Sequence, residues 1–346
     1  EKYNRPIIYV NQTGGQDELV FDGSSLIVGL EDNNLKILNS FQTDSISLSY
    51  DKLKFISTTN EENLNPNKLD DIYDALVLGT RDYVEKNGFK GVIIGSSGGI
   101  DSALTTVIAH DALGKEKVKT VMMPFDYTSD ISLEDAKSLA MNLGISHSEI
   151  SIKEMFEAFN KGLSTSFNGL KADKTEENLQ SRCRGVTLMA LSNKLGYLVL
   201  TTGNKSEAAV GYSTLYGDTA GGFSVLKDVS KTLVYELAKY RNKRSVVIPQ
   251  RIIDRPPSAE LAPDQKDTDS LPDYDRLDPI VEMYVEKDKS IQEIIGEGFD
   301  ENEVRKIVSL IDFNEYKRRQ APLGIKISDR NFGKDRRYPI TNAWKP

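Results

Sequence analysis

The chain has 346 residues, 38% of them apolar, and a formal charge of −8. This length accommodates one large or two ordinary globular domains, and the acidic balance disfavours a chiefly nucleic-acid-binding or anionic-membrane role. No apolar run reaches the ~20 residues that span a bilayer, and the first residues lack a signal-peptide pattern. The single cysteine, Cys183, excludes an intrachain disulfide and fits a reducing compartment. We therefore expect a cytoplasmic protein with neither nucleic acid nor membrane as a partner.

The first 57 residues carry short β-branched runs separated by Gly, Asn and Asp, a pattern typical of β-strands. These runs are "PIIYV", "ELVFDGSSLIVGL", "LKILNSF", "SISLSY" and "LKFIS". The polar stretch 58–70 contains Pro66 and is typical of a linker. The sequence thus predicts a β-rich unit over 1–60 and a second domain over 61–346.

From Leu69 onward, helical patterns alternate with apolar strand-like runs. The predicted strands are "GVIIG", "VKTVMMPF", "HSEISI" and "YLVLTTG". This alternation is typical of an α/β fold with a doubly wound parallel sheet, covered by helices on both faces. Residues 229–243 and 300–319 look helical and close the core. Between them, the proline-rich segment around 255–275 is either a flexible surface loop or a functional lid.

The stretch "GSSGGIDS" follows the first strand of this domain and precedes a helix. Glycines permit unusual φ angles and close approach of a ligand to the main chain, so the turn's N–H groups can form an anion cradle. Asp101 is either a first-turn helix acid or a Mg²⁺ ligand beside phosphates. The turn contains no lysine, which separates it from the P-loop and means that positive charge must come from elsewhere. The predicted ATP-binding residues here are Gly95, Ser96, Ser97, Gly98, Gly99, Ile100, Asp101 and Ser102.

The motif "SGGIDS" resembles the signature of the N-type ATP pyrophosphatases, which cleave ATP between its α- and β-phosphates. Four later segments are similar to the NAD synthetases of this superfamily, in their glutamine-dependent form. They are "EENLQSRCRG", "LTTGNKSEAAVGYSTLYGDTAGGFSVLKDVSKTLVYEL", "RPPSAELAPDQKDTDSLPDYDRLD" and "NEYKRRQAPLGIKIS". The segment "YVNQTGGQDELVFDGSS" resembles the last strands of that form's nitrilase-like glutaminase domain. The resemblance implies an adenine nucleotide alpha hydrolase-like fold, preceded over 1–60 by a remnant of the nitrilase-like domain.

The same resemblance implies roles for single residues. Asp101 and Glu207 would bind Mg²⁺, and Lys231 would neutralise phosphate charge. Taken alone, Glu207 and Lys231 would be ordinary surface residues. Thr202 and Ser258 would contact ATP, whereas Asn178, Arg182, Glu207 and Lys317 would bind deamido-NAD. Asp218 is expected near the site, without an assigned role.

The implied activity is the ATP-dependent amidation of deamido-NAD to NAD⁺, with ammonia supplied normally from glutamine. The resemblance also implies a homodimer or a higher homo-oligomer. The glutaminase's Glu, Lys and Cys lie upstream of the segment with which this sequence begins, so this chain by itself is not expected to hydrolyse glutamine. Two alternatives stay open. One is another ATP pyrophosphatase, such as a GMP synthetase or a tRNA-thiolating enzyme, and the other is a non-catalytic nucleotide-binding module.

Overall fold

A five-stranded parallel sheet organises the chain. The computed structural model describes residues 6–28, 35–51, 54–56, 68–258, 260–262, 265, 267, 271–341 and 343. Its strands are β8 (Val92–Ser96), β9 (Val118–Met122), β10 (Ser146–Glu149), β11 (Leu198–Thr201) and β12 (Phe223–Ser224). They lie in the order β10-β9-β8-β11-β12. The predicted doubly wound parallel sheet is confirmed, and the short strand β12 is an addition to it.

Alternate residues of the central strands face two different apolar cores. Val92 and Ile94 of β8 belong to one core, whereas Ile93 belongs to the other. This period of two is what a strand buried on both faces requires. Cys183 is a free, buried cysteine that packs in the second core, as the structural interpretation of this residue predicts.

Helices cover both faces of the sheet. Helices α1, α2 and α7 pack in the first core, and α5 packs in the second. The helices up to α8 are α1 (Lys68–Lys86), α2 (Ile100–Leu113), α3 (Asp130–Leu143), α4 (Lys153–Leu163), α5 (Lys174–Leu195), α6 (Lys205–Val210), α7 (Lys231–Arg244) and α8 (Gln250–Asp254). None of the helices in the described ranges is both long and apolar enough to cross a membrane.

The N-terminal residues form short antiparallel strands. They are β1 (Ile7–Tyr9), β2 (Thr13–Gln16), β3 (Leu19–Asp22), β4 (Leu26–Val28), β5 (Leu35–Ile37), β6 (Ser49–Asp51) and β7 (Lys54–Ile56). The pairing is β1-β4-β5, β2-β3 and β6-β7. Strand β2 is tied to α1, because the Gly15 N–H donates to Asp82 Oδ2 (2.7 Å) and Lys86 Nζ donates to the Gly15 carbonyl (2.9 Å). The boundary predicted at residue 60 lies outside the described residues.

A separate helical cluster follows the proline-rich segment. It consists of α9 (Tyr274–Val281), a π-helical turn (Glu282–Glu286), α10 (Ile291–Gly296), α11 (Glu301–Phe313) and α12 (Glu315–Arg318). Its apolar core contains Leu277, Ile280, Ile307 and Ile311, and it includes Ala209 and Val210 of α6. The cluster therefore packs directly against the short helix that follows β11.

Asp111 ties three helices together beneath the sheet. Its carboxylate accepts hydrogen bonds from Tyr73 OH (2.7 Å) and from Arg241 Nε (2.6 Å) and Nη2 (3.1 Å). Burial favours the neutral acid, but the bonds from Arg241 and Tyr73 outweigh this effect and hold the pKa of Asp111 below its usual range. The ionised carboxylate thus stabilises the packing of α1, α2 and α7.

We expect Asp111→Asn to lower the free energy of unfolding by about 1–3 kcal/mol at neutral pH. The folded-state pKa is depressed, so the carboxylate's contribution is present at neutral pH and is lost as the pH falls below about 4. The difference in the free energy of unfolding between wild type and variant, measured by urea denaturation, should therefore become smaller at low pH. Glu85→Gln is the control, since Glu85 forms an exposed pair with Lys117. A gap that stays constant or widens on acidification would contradict this account.

Candidate functional site

A cleft of about 540 Å³ opens at the carboxyl edge of the sheet, between β8 and β11. From β8 the chain continues to β9 and β10, which lie toward one edge of the sheet. From β11 it continues to β12, which lies at the opposite edge. Such a switch point is where open parallel sheets bind ligands. The turn after β8, Thr202 after β11 and the Met122–Met123 end of β9 all line the cleft.

The 95–102 turn is braced by its own serines. The Ser97 N–H donates to Ser102 Oγ (3.2 Å), and Ser102 Oγ donates to the Gly99 carbonyl (3.0 Å). Gly98 has φ +74°, and a Cβ atom there would lie 2.4 Å from the Ser132 carbonyl oxygen. Only glycine therefore fits this position, at which the turn packs closely against the start of α3.

The centre of the cleft is a buried ammonium group shared by two carboxylates. Lys231 Nζ lies 2.5 Å from Asp101 Oδ2 and 3.2 Å from Glu207 Oε1, and the lysine side chain is 2% exposed. Burial alone would lower the pKa of Lys231, but the two carboxylates more than offset this and raise it. Burial, together with the charges of Asp101 and Asp267, raises the pKa of Glu207, although Lys231 opposes the shift. The structure thus brings together the two predicted Mg²⁺ ligands, Asp101 and Glu207, and the lysine predicted to neutralise phosphate charge.

Asn204 joins the two carboxylates from outside the predicted set. Its Nδ2 donates to Asp101 Oδ1 (2.8 Å), and its Oδ1 accepts the Glu207 N–H (3.0 Å) as the N-cap of α6. Glu207 in turn completes a capping box with the Asn204 N–H. The N-x-x-E spacing of "NKSE" is a helix-start signal from which this cap could have been predicted.

Asp278 of α9 holds the first turn of α7, which carries Lys231. This buried carboxylate accepts bonds from the Thr232 N–H (2.9 Å), the Thr232 hydroxyl (2.8 Å) and the Ser206 hydroxyl. Ser206 Oγ also accepts the Lys231 N–H (2.9 Å). One carboxylate of the C-terminal helical cluster therefore fixes the starts of both α6 and α7.

Tyr274, one turn before Asp278 on α9, faces the same ammonium. Lys231 Nζ lies 5.3 Å from the centre of its ring, within the range of a cation–π interaction. The Tyr274 hydroxyl donates to Asp267 Oδ2 (2.9 Å), and burial raises the pKa of Asp267. The proline-rich segment thereby contributes a further carboxyl group close to Lys231.

The other predicted site residues divide into two groups. Asn178, Thr202, Ser258 and Lys317 line the cleft, as does Asp218. Lys317 Nζ donates to the Gly211 and Ser213 carbonyls, both at 2.7 Å. Arg182 is not among the residues that line this cleft; it is exposed, and its Nε donates to the Leu215 carbonyl (3.2 Å).

Arg184, two residues further along α5, does line the cleft, and its Nε donates to the Met123 carbonyl (3.0 Å). Both arginines stand in the single motif "SRCRG", and the helical turn decides which of them faces the sheet. Family resemblance implies a role for Arg182 alone, so Arg184 is a cleft residue outside the predicted set.

Asp101 and Glu207 suit a magnesium ion. Over the described ranges, no group of three or more His, Cys, Asp or Glu side chains could hold a metal. Magnesium, however, commonly binds through one or two carboxylates together with substrate phosphates and water. Asp101 and Glu207 both contact Lys231 and line the same cleft, and as a pair of carboxylates they would hold such an ion.

The fold and the cleft define an α/β protein with a cleft at the switch point of a parallel sheet, between a glycine-rich turn and a buried lysine–carboxylate cluster. Comparison with known proteins narrows this class. The chain belongs to the NAD synthase family, whose sequence model matches residues 72–321.

Similar proteins agree with this family. The chain is 52% identical to the glutamine-dependent NAD(+) synthetase of Acinetobacter baylyi and 46% identical to that of Thermotoga maritima, over 100% and 99% of its length. It spans 64% and 66% of the length of these two relatives. A solved structure of the Acinetobacter baumannii glutamine-dependent NAD+ synthetase in complex with ADP superposes with a TM-score of 0.68 at 48% identity, covering 98% of this chain and 62% of that one.

We expect Gly98→Ala to lower the free energy of unfolding by about 1–3 kcal/mol, because a Cβ there clashes with rigid backbone. The matched control is Gly99→Ala, since Gly99 has φ −94° and a Cβ there would meet only the Ser97 hydroxyl, at 3.2 Å. Urea denaturation measures the loss of stability in both variants. Equal losses in the two variants would refute the steric argument.

Proposed function

We propose that this chain carries out the ATP-dependent amidation of deamido-NAD to NAD⁺, through an adenylate intermediate, with release of AMP and pyrophosphate. The observation that carries the proposal is the placement of Lys231 between Asp101 and Glu207, facing the 95–102 turn at the switch point of the sheet. Membership of the NAD synthase family supports it, and so does similarity to the Acinetobacter baumannii synthetase, whose structure is a complex with ADP.

In the first step, a nicotinate carboxylate oxygen attacks the α-phosphorus of ATP, and the bond to the bridging oxygen of pyrophosphate breaks. The turn's backbone N–H groups and the Lys231 ammonium are proposed to stabilise the charge that develops on the phosphates. Asp101 and Glu207 would hold Mg²⁺, which when bound supplies further charge neutralisation to the polyphosphate. Thr202 and Ser258 would position ATP, whereas Asn178, Glu207 and Lys317 are the proposed contacts to deamido-NAD within the cleft. Arg182 lies outside this cleft and would contact deamido-NAD only where the substrate extends beyond it.

In the second step, neutral ammonia attacks the acyl carbon of the adenylate, the nitrogen releases one proton to solvent, and the bond to AMP breaks as the amide forms. Water would compete for the adenylate, so the site requires shielding. We propose the 255–275 segment as the lid. Pro256, Pro257 and Leu261 of this segment line the cleft, while other parts of it lie outside the described residues.

The source of ammonia and the assembly are part of the same proposal. Relatives that share the family are named glutamine-dependent, so we propose that glutamine is the source of the ammonia. We also propose a homodimer or larger homo-oligomer, in the cytoplasm. Val186 and Tyr216 are 63% and 64% exposed beside the cleft and offer an apolar surface for a second copy.

Pyrophosphate release tests the proposal. The chain should release pyrophosphate when ATP, Mg²⁺, ammonium and deamido-NAD are present together, and NAD⁺ should accumulate in equal amount. Xanthylate in place of deamido-NAD should give no turnover. Turnover with xanthylate would favour a GMP synthetase, and binding of ATP without turnover on either substrate would favour a nucleotide-binding module.

We expect Lys231→Ala to slow ammonia-dependent turnover about a hundredfold or more, because one transition-state cation is lost. Steady-state NAD⁺ formation at saturating ATP measures this change. Lys239→Ala, an exposed lysine on the same helix, is the control and should keep wild-type turnover. Near-normal turnover of the Lys231 variant would contradict the role.

We expect Asp101→Asn and Glu207→Gln each to shift the Mg²⁺ dependence of turnover to higher concentration, since each removes one hard anionic ligand. Titration of activity with Mg²⁺ at fixed ATP measures the shift. Asp130→Asn, an exposed acid at the start of α3, serves as the control. An unchanged Mg²⁺ dependence in both variants would show that these carboxylates are not the metal ligands.

A further inference from the structure

Arg255 and Glu260 form an ion pair at the edge of the cleft that the function proposed above does not use. Their side chains are 26% and 16% exposed, and both residues line the cleft. Glu260 Oε1 also accepts hydrogen bonds from the Ser129 and Ser132 hydroxyls, each at 2.9 Å. The Ser129 N–H donates to the other carboxylate oxygen (3.4 Å). Four donor groups of the chain thus converge on this one carboxylate.

The pair lies beside the glycine-rich turn. Arg255 Nη1 donates to Ser132 Oγ (2.8 Å), and Ser132 is the residue whose backbone packs against Gly98. The guanidinium is therefore separated from the turn by a single residue. From this position, a modest movement of the side chain would bring it to a phosphate group held by the turn.

The charge around Lys231 shows why a further cation is needed. The ammonium is shared by Asp101 and Glu207, with Asp267 close by, so these three carboxyl groups, when ionised, offset both the ammonium and the Mg²⁺ proposed above. A polyphosphate entering the cleft requires additional positive charge. Arg255 is a suitable source, because its planar guanidinium can bind two phosphate oxygens at once.

We propose that Arg255 is a second phosphate-binding residue of the cleft, and that Glu260 holds it in place until the pyrophosphoryl group of ATP displaces the carboxylate. The inference rests on the proposed function, since it assumes that polyphosphate lies against the 95–102 turn. Glu260 then competes with phosphate for Arg255, because its carboxylate binds the guanidinium when the cleft holds no phosphate.

The test is calorimetric titration of the whole chain with inorganic pyrophosphate and Mg²⁺. We expect Arg255→Gln to weaken binding about tenfold, the usual effect of losing a charged hydrogen-bond pair. Glu260→Gln should instead tighten binding severalfold, because the competitor is removed. In the double variant the Glu260 effect should vanish, since it acts through Arg255.

Two charge-matched variants away from the cleft, Arg305→Gln and Glu134→Gln, should bind pyrophosphate as wild type does, and thermal unfolding verifies that all variants fold. Unchanged binding by Arg255→Gln would overturn the proposal. Weakened binding by Glu260→Gln would also overturn it, by making the pair a brace rather than a competitor, and so would a wild type that fails to bind pyrophosphate. NAD⁺ formation by wild type is assayed separately. If wild type forms NAD⁺ but Arg255→Gln binds pyrophosphate normally, only this proposal fails; if wild type forms no NAD⁺, the proposed function fails.

Discussion

The cleft depends on one buried ammonium group. Lys231 is almost fully enclosed, and a charge in that position is tolerated only because two carboxylates contact it. The dependence is mutual, since Asp101 and Glu207 without the lysine would be two like charges confined to the same small space. The three side chains stand on α2, α6 and α7, so this single cluster also fixes how the helices after β8 and β11 approach each other.

The parallel sheet makes this convergence possible. Asp101 and Glu207 are far apart in the sequence, yet each follows a strand that ends at the same edge of the sheet. The turns that follow parallel strands all lie along the carboxyl edge of the sheet, and a crevice opens at the switch point of this edge.

Much of this arrangement could be predicted from the sequence. The strand β8 and the turn after it have strong local signals, namely a β-branched run followed by glycines and serines. The structural interpretation of Cys183 is confirmed, since it packs in a core. The roles of Glu207 and Lys231 come from family resemblance, because local pattern alone would make both of them surface residues. The structure places both at the cleft, although their roles toward ATP and Mg²⁺ stay predictions.

What the sequence does not reveal depends on tertiary packing. Arg182 and Arg184 are two residues apart on one helix, and only the docking of α5 on the sheet decides which faces the cleft. Strand β12 has two residues, too few to produce a periodic signal. Tyr274 and Glu260 lie in or beside a proline-rich segment whose local pattern resembles an ordinary loop, so their contacts with Lys231 and Ser132 arise only on folding.

Asp278 shows that the cleft depends on a residue from a separate helical cluster. Its carboxylate belongs to a helical cluster with a separate apolar core, yet it anchors the first turns of α6 and α7. A polypeptide shortened before α9 would lose the carboxylate that accepts hydrogen bonds from Ser206 and Thr232, and it would also lose Ile325, which packs in the first core. The smallest autonomous unit that preserves the lysine cluster therefore extends through the C-terminal helices, well past the last strand.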